Sequence, residues 1–291
     1  MMKDMENILQ KKIGIVGCGE MGLPMLEVLL KNKISALGFD IRSKSEFSSV
    51  KENFLENKAE FFHKSEVIFS VVRDEKETLD LTEGGGGIFN LDEKKFFLIC
   101  STLSPRFIQD LRARAPKNIV MIDTPMSGAS KGARAASLTF MVGSSEEEFE
   151  FISPLLKILG ENIFHIGDFG TGMSIKVLNN FVTSATVAAV RQVLSQAPSL
   201  NLKPEKLLEI MNCSSGQTWF GSNFEKIEWS SKGHSAKNTI GILEKDVEAY
   251  QDALKFIRAD KKNMEFQEFE TATLNVLRKL SNFTHKSYFA G

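Results

Sequence analysis

The segment IGIVGCGEMG, residues 13–22, constrains the fold of this chain more than any other stretch. A short apolar run, residues 12–17, has the character of a buried strand. It passes directly into Gly17, Cys18, Gly19, Glu20, Met21 and Gly22, a G-x-G-x-x-G turn. An apolar pattern at helical spacing follows through Leu23, Leu26, Leu29 and Leu30. Residues 35–40 then form a second short strand that ends in Asp40, eighteen residues beyond Gly22. Strand, glycine turn, helix and a second strand ending in an acid is the order that holds a dinucleotide. The first glycine permits the tight turn, and the second lets backbone approach a pyrophosphate. The third lets helix pack on strand, and the helix N-terminus favours the phosphate charge. The competing reading is a plain glycine turn followed by a surface aspartate, and the surrounding elements favour the dinucleotide.

Asp40 can accept hydrogen bonds from ribose hydroxyls and would repel a 2′-phosphate, which favours NAD. Arg42 is either a phosphate partner, which would admit NADP, or a solvated surface residue. Further strands are expected at residues 67–72, 96–100, 119–123, 137–142 and 163–166. Helix-prone stretches lie between most of them. Ser104 can cap a helix that Pro105 begins, and Ser144 or Ser145 can cap the acidic start of a helix over 146–159. Alternation of this kind implies a mostly parallel sheet with ligands bound beyond the carboxyl ends of its strands. Val72 and Arg73 stand at one such end and Thr102 at another, so they join the candidate cofactor contacts. Gly84, Gly85, Gly86 and Gly87 suit a flexible loop better than a phosphate site.

From Gly170 onward the pattern is helical. Residues 173–197 form the longest expected helix, and 204–212, 239–257 and 264–280 three more, with a loop at 258–263. Lys176 and Asn180, four apart near the start of the long helix, project from one face. The expected division is a dinucleotide-binding domain at 1–168 and an all-helical domain at 169–291 that opens with the linking helix. A chain of 291 residues is comfortable for two domains.

Composition removes several classes of function. A net charge of -1 gives no electrostatic case for nucleic acid or an anionic membrane. No apolar run approaches the ~20 residues that span a bilayer. The first twelve residues are too polar for a signal peptide and suit a short frayed leader. Three cysteines suit a reducing compartment, and the cytoplasm is expected. Four scattered histidines give no metal spacing, so no metal is expected.

Four local patterns combine: GCGEMGLPM near the start, STLSP at 101–105, DTPMSGASKGA at 123–133, and GTGMSIKVLNN at 170–180 followed by Lys245 and Asp246. In this order and spacing, from about residue 12 to 285, the chain resembles the β-hydroxyacid dehydrogenases: 3-hydroxyisobutyrate dehydrogenase and its semialdehyde- and glyoxylate-reducing relatives. The resemblance implies a Rossmann-like α/β N-terminal domain joined by a long helix to an all-α C-terminal domain. It implies reversible NAD(P)-dependent hydride transfer between a small β-hydroxy acid and its semialdehyde. It makes Lys176 the general acid/base, Asn180 a substrate contact, Ser127 and Gly128 the carboxylate site, and Lys245 a residue that closes over cofactor and substrate. A homodimer or homotetramer is expected.

The residues agree with this on chemical grounds. Hydride transfer to a carbonyl builds an alkoxide that needs a proton donor within about 3 Å. Ile175, Val177 and Leu178 give Lys176 an apolar setting. Ser127 as a plain loop hydroxyl and Lys245 as a surface ion-pair partner remain open. For Trp219 and Phe220 core packing is preferred to a pocket role. Three positions depart from the family pattern: Ala129 follows Ser127-Gly128 where glycine is usual, Asn238 stands where an aromatic is common, and Gln192 where an acid is common. An imine reductase-like enzyme and a non-catalytic NAD(P)-binding or assembly module are the alternatives. Retention of Lys176 argues against both.

Overall fold

The computed structural model describes residues 7–235, 238–255 and 264–283. The chain forms two compact units, one ending at Lys176 and the other starting at Val177. The start of the expected leader, the ends of the last two helices' connection and the 258–263 loop lie outside the described residues.

The first unit begins β1 (Ile13–Val16), α1 (Gly22–Lys31), β2 (Ala36–Phe39), β3 (Phe54–Leu55), α2 (Lys58–Lys64) and β4 (Val67–Ser70). It continues α3 (Glu75–Thr82), β5 (Lys95–Ile99), α4 (Pro105–Arg114), β6 (Ile119–Asp123) and β7 (Met126–Ser127). It ends with α5 (Ala129–Ala135), β8 (Leu138–Gly143), α6 (Glu146–Leu159) and β9 (Gly160–Gly167). The sheet order is β3-β2-β1-β4-β5-β6-β8-β7, with β9 on β8. Strands β1 to β6 pair in parallel. The order reverses between β1 and β4, so the glycine turn after β1 sits at the switch point where such sheets bind ligands.

Period-two alternation sorts the side chains to two faces. Ile13, Ile15, Val67, Phe69 and Leu98 pack into one core with Leu26, Leu29 and Leu155. Val16, Ile68, Phe97 and Ile99 pack into the other with Phe61, Phe62, Ile108 and Leu111. A fully buried side chain of this size contributes about 1.5–3 kcal/mol over an exposed one. The helix starts follow local chemistry. The Ser104 hydroxyl accepts from Arg106 N at the Pro105 turn, and Ser145 with Glu148 forms a reciprocal capping box on α6.

Two expectations change. The 137–142 strand runs antiparallel to β6 and β7, because the chain returns from β7 through the short α5 without crossing the sheet. The 163–166 strand extends over Gly160–Gly167 and lies at the edge, largely exposed.

Helix α7 (Thr171–Gln196) passes from the first unit into the second. Pro198 sits in a 3₁₀ turn, Ala197–Leu200, just beyond its end. The second unit continues with α8 (Pro204–Asn212), α9 (Trp219–Ser222), α10 (Thr239–Leu254) and α11 (Met264–Lys279). Val187, Val190, Leu194, Phe220, Leu243, Val247, Leu274 and Leu277 form its core. The buried Arg191 guanidinium donates to the carbonyls of Ser230 (2.5 Å), Lys232 (2.9 Å) and Ser281 (2.7 Å), pinning two loops to α7.

Candidate functional site

The glycine turn separates what the fold requires from what a ligand requires. Gly17 has φ +87°, and a Cβ there would lie 2.4 Å from the Val71 carbonyl oxygen. At Gly22 a Cβ would lie 2.1 Å from the Gly17 oxygen. At Gly19 it would meet nothing within 4 Å. The outer glycines are therefore demanded by the protein itself, whereas the bare backbone at Gly19 borders open space. Met21, which precedes α1, gives no side-chain cap to the first amides of that helix. Bare backbone beside an uncapped helix start is what a pyrophosphate needs, so these residues fit a dinucleotide. Cys18, between the glycines, is buried and donates weakly to the Ile15 carbonyl at 3.6 Å. Burial, reinforced by nearby Asp40, pushes its thiol up to about 12.

Asp40 follows β2 directly. Its Oδ1 accepts from Arg42 N (3.0 Å) and Arg42 Nε (3.1 Å), and its Oδ2 from Arg42 Nη2 (3.3 Å). The same guanidinium donates to the Cys18 carbonyl at 2.9 Å, lies 3.8 Å from Glu46 and rests 4.8 Å over the Phe47 ring. Arg42 stays exposed while it pairs with Asp40. It ties the acid at the end of β2 to the glycine turn, and the Asp40 hydrogen bond raises its pKa.

The neighbouring strand ends carry the other expected contacts. Val72 is half-buried, and its carbonyl accepts from the Ser101 hydroxyl at 2.6 Å. Arg73 is exposed, with its backbone N–H given to Glu77 at 2.8 Å. Thr102 is half-buried after β5. Ser127 ends β7 half-buried, paired with Thr139 of β8. Gly128 follows at φ +135° and Ala129 at φ +51°. The methyl at Ala129 thus sits in the left-handed region that favours glycine.

The sequence marks Asp123 as the end of a strand and part of a motif, and its contacts with the start of α7 are not legible there. Asp123 ends β6 fully buried and accepts from Gly170 N (2.8 Å) and Met173 N (2.7 Å). Burial pushes its carboxyl up to about 6, against these two N–H donors and Arg112, which pull it down. The available signal was an acid at the carboxyl end of a strand. The start of α7 is thereby seated on the end of β6. Lys176 lies three residues beyond Met173 and is 7% exposed. It and Arg191 are the charged residues of α7, and both are buried.

In the second unit, Asn180 Nδ2 donates to Asp246 Oδ2 at 2.7 Å, and Lys245 Nζ lies 3.1 Å from Asp246 Oδ1. Asp246 is buried while Lys245 is half-buried, so the ion pair joins adjacent residues of α10 and orients Asn180. Asn238 caps α10, accepting from Ile240 N and Gly241 N, which explains an amide at that position. Gln192 is exposed. Phe220 is core as expected, but Trp219 is 60% exposed, so the core reading of Trp219 is corrected. Cys18, Cys100 and Cys213 are all free thiols, and Cys213 alone is exposed. Among the described residues no group of acids, histidines and cysteines could hold a metal, and no helix is long and apolar enough to cross a membrane.

Comparison with known proteins bears on the whole arrangement. Residues 12–167 match the NAD binding domain of 6-phosphogluconate dehydrogenase, and residues 170–270 match the NAD-binding domain of NADP-dependent 3-hydroxyisobutyrate dehydrogenase. The chain is 33% identical over 212 residues to 2-(hydroxymethyl)glutarate dehydrogenase of Eubacterium barkeri, covering 72% of this chain and 70% of the relative. It is 29% identical over 251 residues to the mitochondrial 3-hydroxyisobutyrate dehydrogenase of Homo sapiens, covering 83% and 75%. In fold it resembles a 3-hydroxyisobutyrate dehydrogenase from Salmonella typhimurium, with a TM-score of 0.77 at 21% identity over 92% of this chain and 93% of that one. The chain therefore belongs to the β-hydroxyacid dehydrogenase family and is an NAD(P)-dependent hydroxyacid dehydrogenase.

Proposed function

We propose that the chain interconverts a small β-hydroxy acid of the 3-hydroxyisobutyrate type and its semialdehyde, with Lys176 as general acid/base. The observation that carries this reading is the burial of a lysine ammonium on the first turns of α7, beside the carboxyl edge of the sheet. Lone lysines are mostly solvated, and a buried one is held by the groups around it, which fixes where its amine sits.

The nicotinamide, when bound, supplies the hydride acceptor or donor at the hydroxyl-bearing carbon. The chain does the rest. Gly17, Cys18, Gly19, Glu20, Met21 and Gly22 receive the pyrophosphate, and Asp40, held by Arg42, accepts from the ribose hydroxyls. Val72, Arg73 and Thr102 extend the cofactor contacts along the strand ends. Ser127 and the Gly128 N–H bind the substrate carboxylate. In oxidation the Lys176 amine takes the proton of the substrate hydroxyl as its C–H hydride leaves. In reduction the ammonium returns that proton to the alkoxide oxygen. In the second unit Asn180, oriented by Asp246, is assigned to substrate and Lys245 to cofactor. The functional division is a dinucleotide-binding part at 1–168 and a helical part at 169–291, a reading supported by family matches at 12–167 and 170–270.

A homodimer or homotetramer fits the face of α7 where Ile175, Leu178, Val182 and Val193 are exposed without a neighbouring exposed charge on that helix. Free thiols fit a reducing compartment, and the cytoplasm is the assignment.

The test is turnover by purified protein of NAD and NADP against β-hydroxy acids, their semialdehydes and cyclic imines, alongside Lys176→Ala. The variant is expected to lose about 10²-fold or more in kcat while still binding NADH. Wild-type turnover in the variant would sink the acid/base role. Turnover of imines alone would favour the imine reductase reading, and failure to bind either cofactor would remove the whole assignment.

A further inference from the structure

The proposed chemistry leaves Asp123, buried at the end of β6, without a part. Asp123 closes three backbone segments on a single carboxylate. It belongs to the end of β6, and it takes the N–H groups of Gly170 and Met173 at the start of α7, 2.8 and 2.7 Å away. The end of β8 also presses against it: a Cβ at Gly143 would lie 2.1 Å from Asp123 Oδ1. At Gly172 a Cβ would lie 2.3 Å from the Met141 carbonyl oxygen and 2.9 Å from Asp123 Oδ2. Glycine is thus required at two positions so that the carboxylate can reach the helix.

The first amides of a helix have no partner within it. Many helices take theirs from the preceding few residues, as α4 and α6 do here. Helix α7 takes its acceptor from a strand 47 residues away from Gly170. Two-point attachment fixes both the height and the rotation of the first turn, because each residue advances an α-helix by about 1.5 Å and 100°. Lys176 stands four residues from Gly172 and three from Met173, so it leaves the helix on the side that Asp123 holds.

We propose that Asp123 is a positioning residue for the hydroxyacid reaction, which fixes the first turn of α7 and thereby the place of the Lys176 amine. This rests on the acid/base reading of Lys176. Misplacing a reacting group by about 1 Å can cost on the order of 10²-fold in rate. The burial that raises the Asp123 carboxyl to about 6 still leaves it ionised at neutral pH, when both N–H groups face a carboxylate.

Asp123→Asn keeps the shape and replaces one acceptor by a donor that faces an N–H. Gly170→Ala disturbs the other end of the same contact, at a residue with φ +97° whose added Cβ meets the flexible Gln109 amide. Both variants are measured for kcat, KM, the solvent deuterium isotope effect on kcat, NADH dissociation by fluorescence and thermal midpoint. The expected result for Asp123→Asn is a kcat lowered about 10- to 100-fold with the NADH dissociation constant within about twofold of wild type. The solvent isotope effect should rise as proton delivery slows, and Gly170→Ala should show the same pattern in weaker form. A loss shared equally by kcat, NADH affinity and thermal midpoint would mark a general structural role and overturn the proposal. So would wild-type kcat in the folded variants while Lys176→Ala is impaired, or failure of both variants to fold. Full activity in Lys176→Ala would instead overturn the acid/base reading and this inference with it.

Discussion

Alanine at each glycine of the first turn should separate folding from cofactor binding. At Gly22 an added Cβ would approach the Gly17 carbonyl oxygen to 2.1 Å, and at Gly17 it would approach the Val71 oxygen to 2.4 Å with φ at +87°. Neither contact involves a side chain that could swing away. Overpacking of this kind costs about 1–3 kcal/mol, and the left-handed backbone at Gly17 adds roughly 1–2 kcal/mol. A unit of this size loses about 2–4 °C in Tm per kcal/mol, so both variants should melt visibly early without ligand. Gly19 behaves differently. Its φ is outside the left-handed region and an added Cβ meets nothing within 4 Å, so Gly19→Ala should keep or gain about 0.4–1 kcal/mol of stability. Its methyl would enter the space assigned to the pyrophosphate. Overlap worth about 1–2.7 kcal/mol weakens NAD roughly 5- to 100-fold. The readout is thermal unfolding with and without NAD at 100 times the wild-type Kd. Wild type should gain about 2.7 kcal/mol and Gly19→Ala about 0.4–1.8 kcal/mol. A full ligand shift in Gly19→Ala, or an unliganded melting point as low as that of Gly22→Ala, would refute the division of labour among the three glycines.

Other outcomes follow from single positions. Ala136 ends α5 at φ 54°, so Ala136→Gly should stabilise by about 1 kcal/mol, seen as a Tm rise of roughly 2–4 °C. Asp123 has a folded value of about 6 against an ordinary 3.8, so the folded chain holds that proton more tightly. Its contribution to stability is complete below about pH 4 and is lost as pH rises through about 6, a swing of about 3 kcal/mol. Urea midpoints across that window should diverge between wild type and Asp123→Asn, and parallel curves would contradict the buried titration. Asp40→Asn should weaken NAD, release Arg42 and move the NAD-to-NADP affinity ratio by about tenfold toward NADP, measured by calorimetry with each cofactor.

The parts of the fold legible in the sequence were those fixed by near neighbours. The apolar runs gave the central strands. Ser104-Pro105, and Ser144-Ser145 before the acidic run, marked helix starts, because a cap and its amide lie within three residues of each other; that Ser145 is the cap is seen in the structure. The two-residue β3 and β7 were not visible, since so short a strand exists only through its partner. Nor was α5, whose ASKGARA sequence carries no apolar periodicity. The antiparallel direction of β8 depends on how the chain returns from β7, which composition does not encode. At the site, the glycine turn was legible because strand, glycines and helix start follow one another within residues 13–22. The work of Asp123 was not, because its acceptor oxygens meet amides 47 and 50 residues away. The sequence offered Arg42 as a phosphate partner or a solvated residue, and its contacts with Asp40 and Cys18 add a structural role that neither reading contained.

The thiol between the first two glycines has a practical consequence. Cys18 and Cys100 are buried, each with its thiol pushed up to about 12, whereas Cys213 is exposed on the second unit. Thiolate is the reactive species, so at neutral pH maleimides and mild oxidants should find a single address on the native protein. A fluorophore could be attached there, and mass spectrometry of the labelled chain would count the sites. The same burial shields the Cys18 thiol from peroxide, so cysteine oxidation would mark this enzyme at Cys213 first.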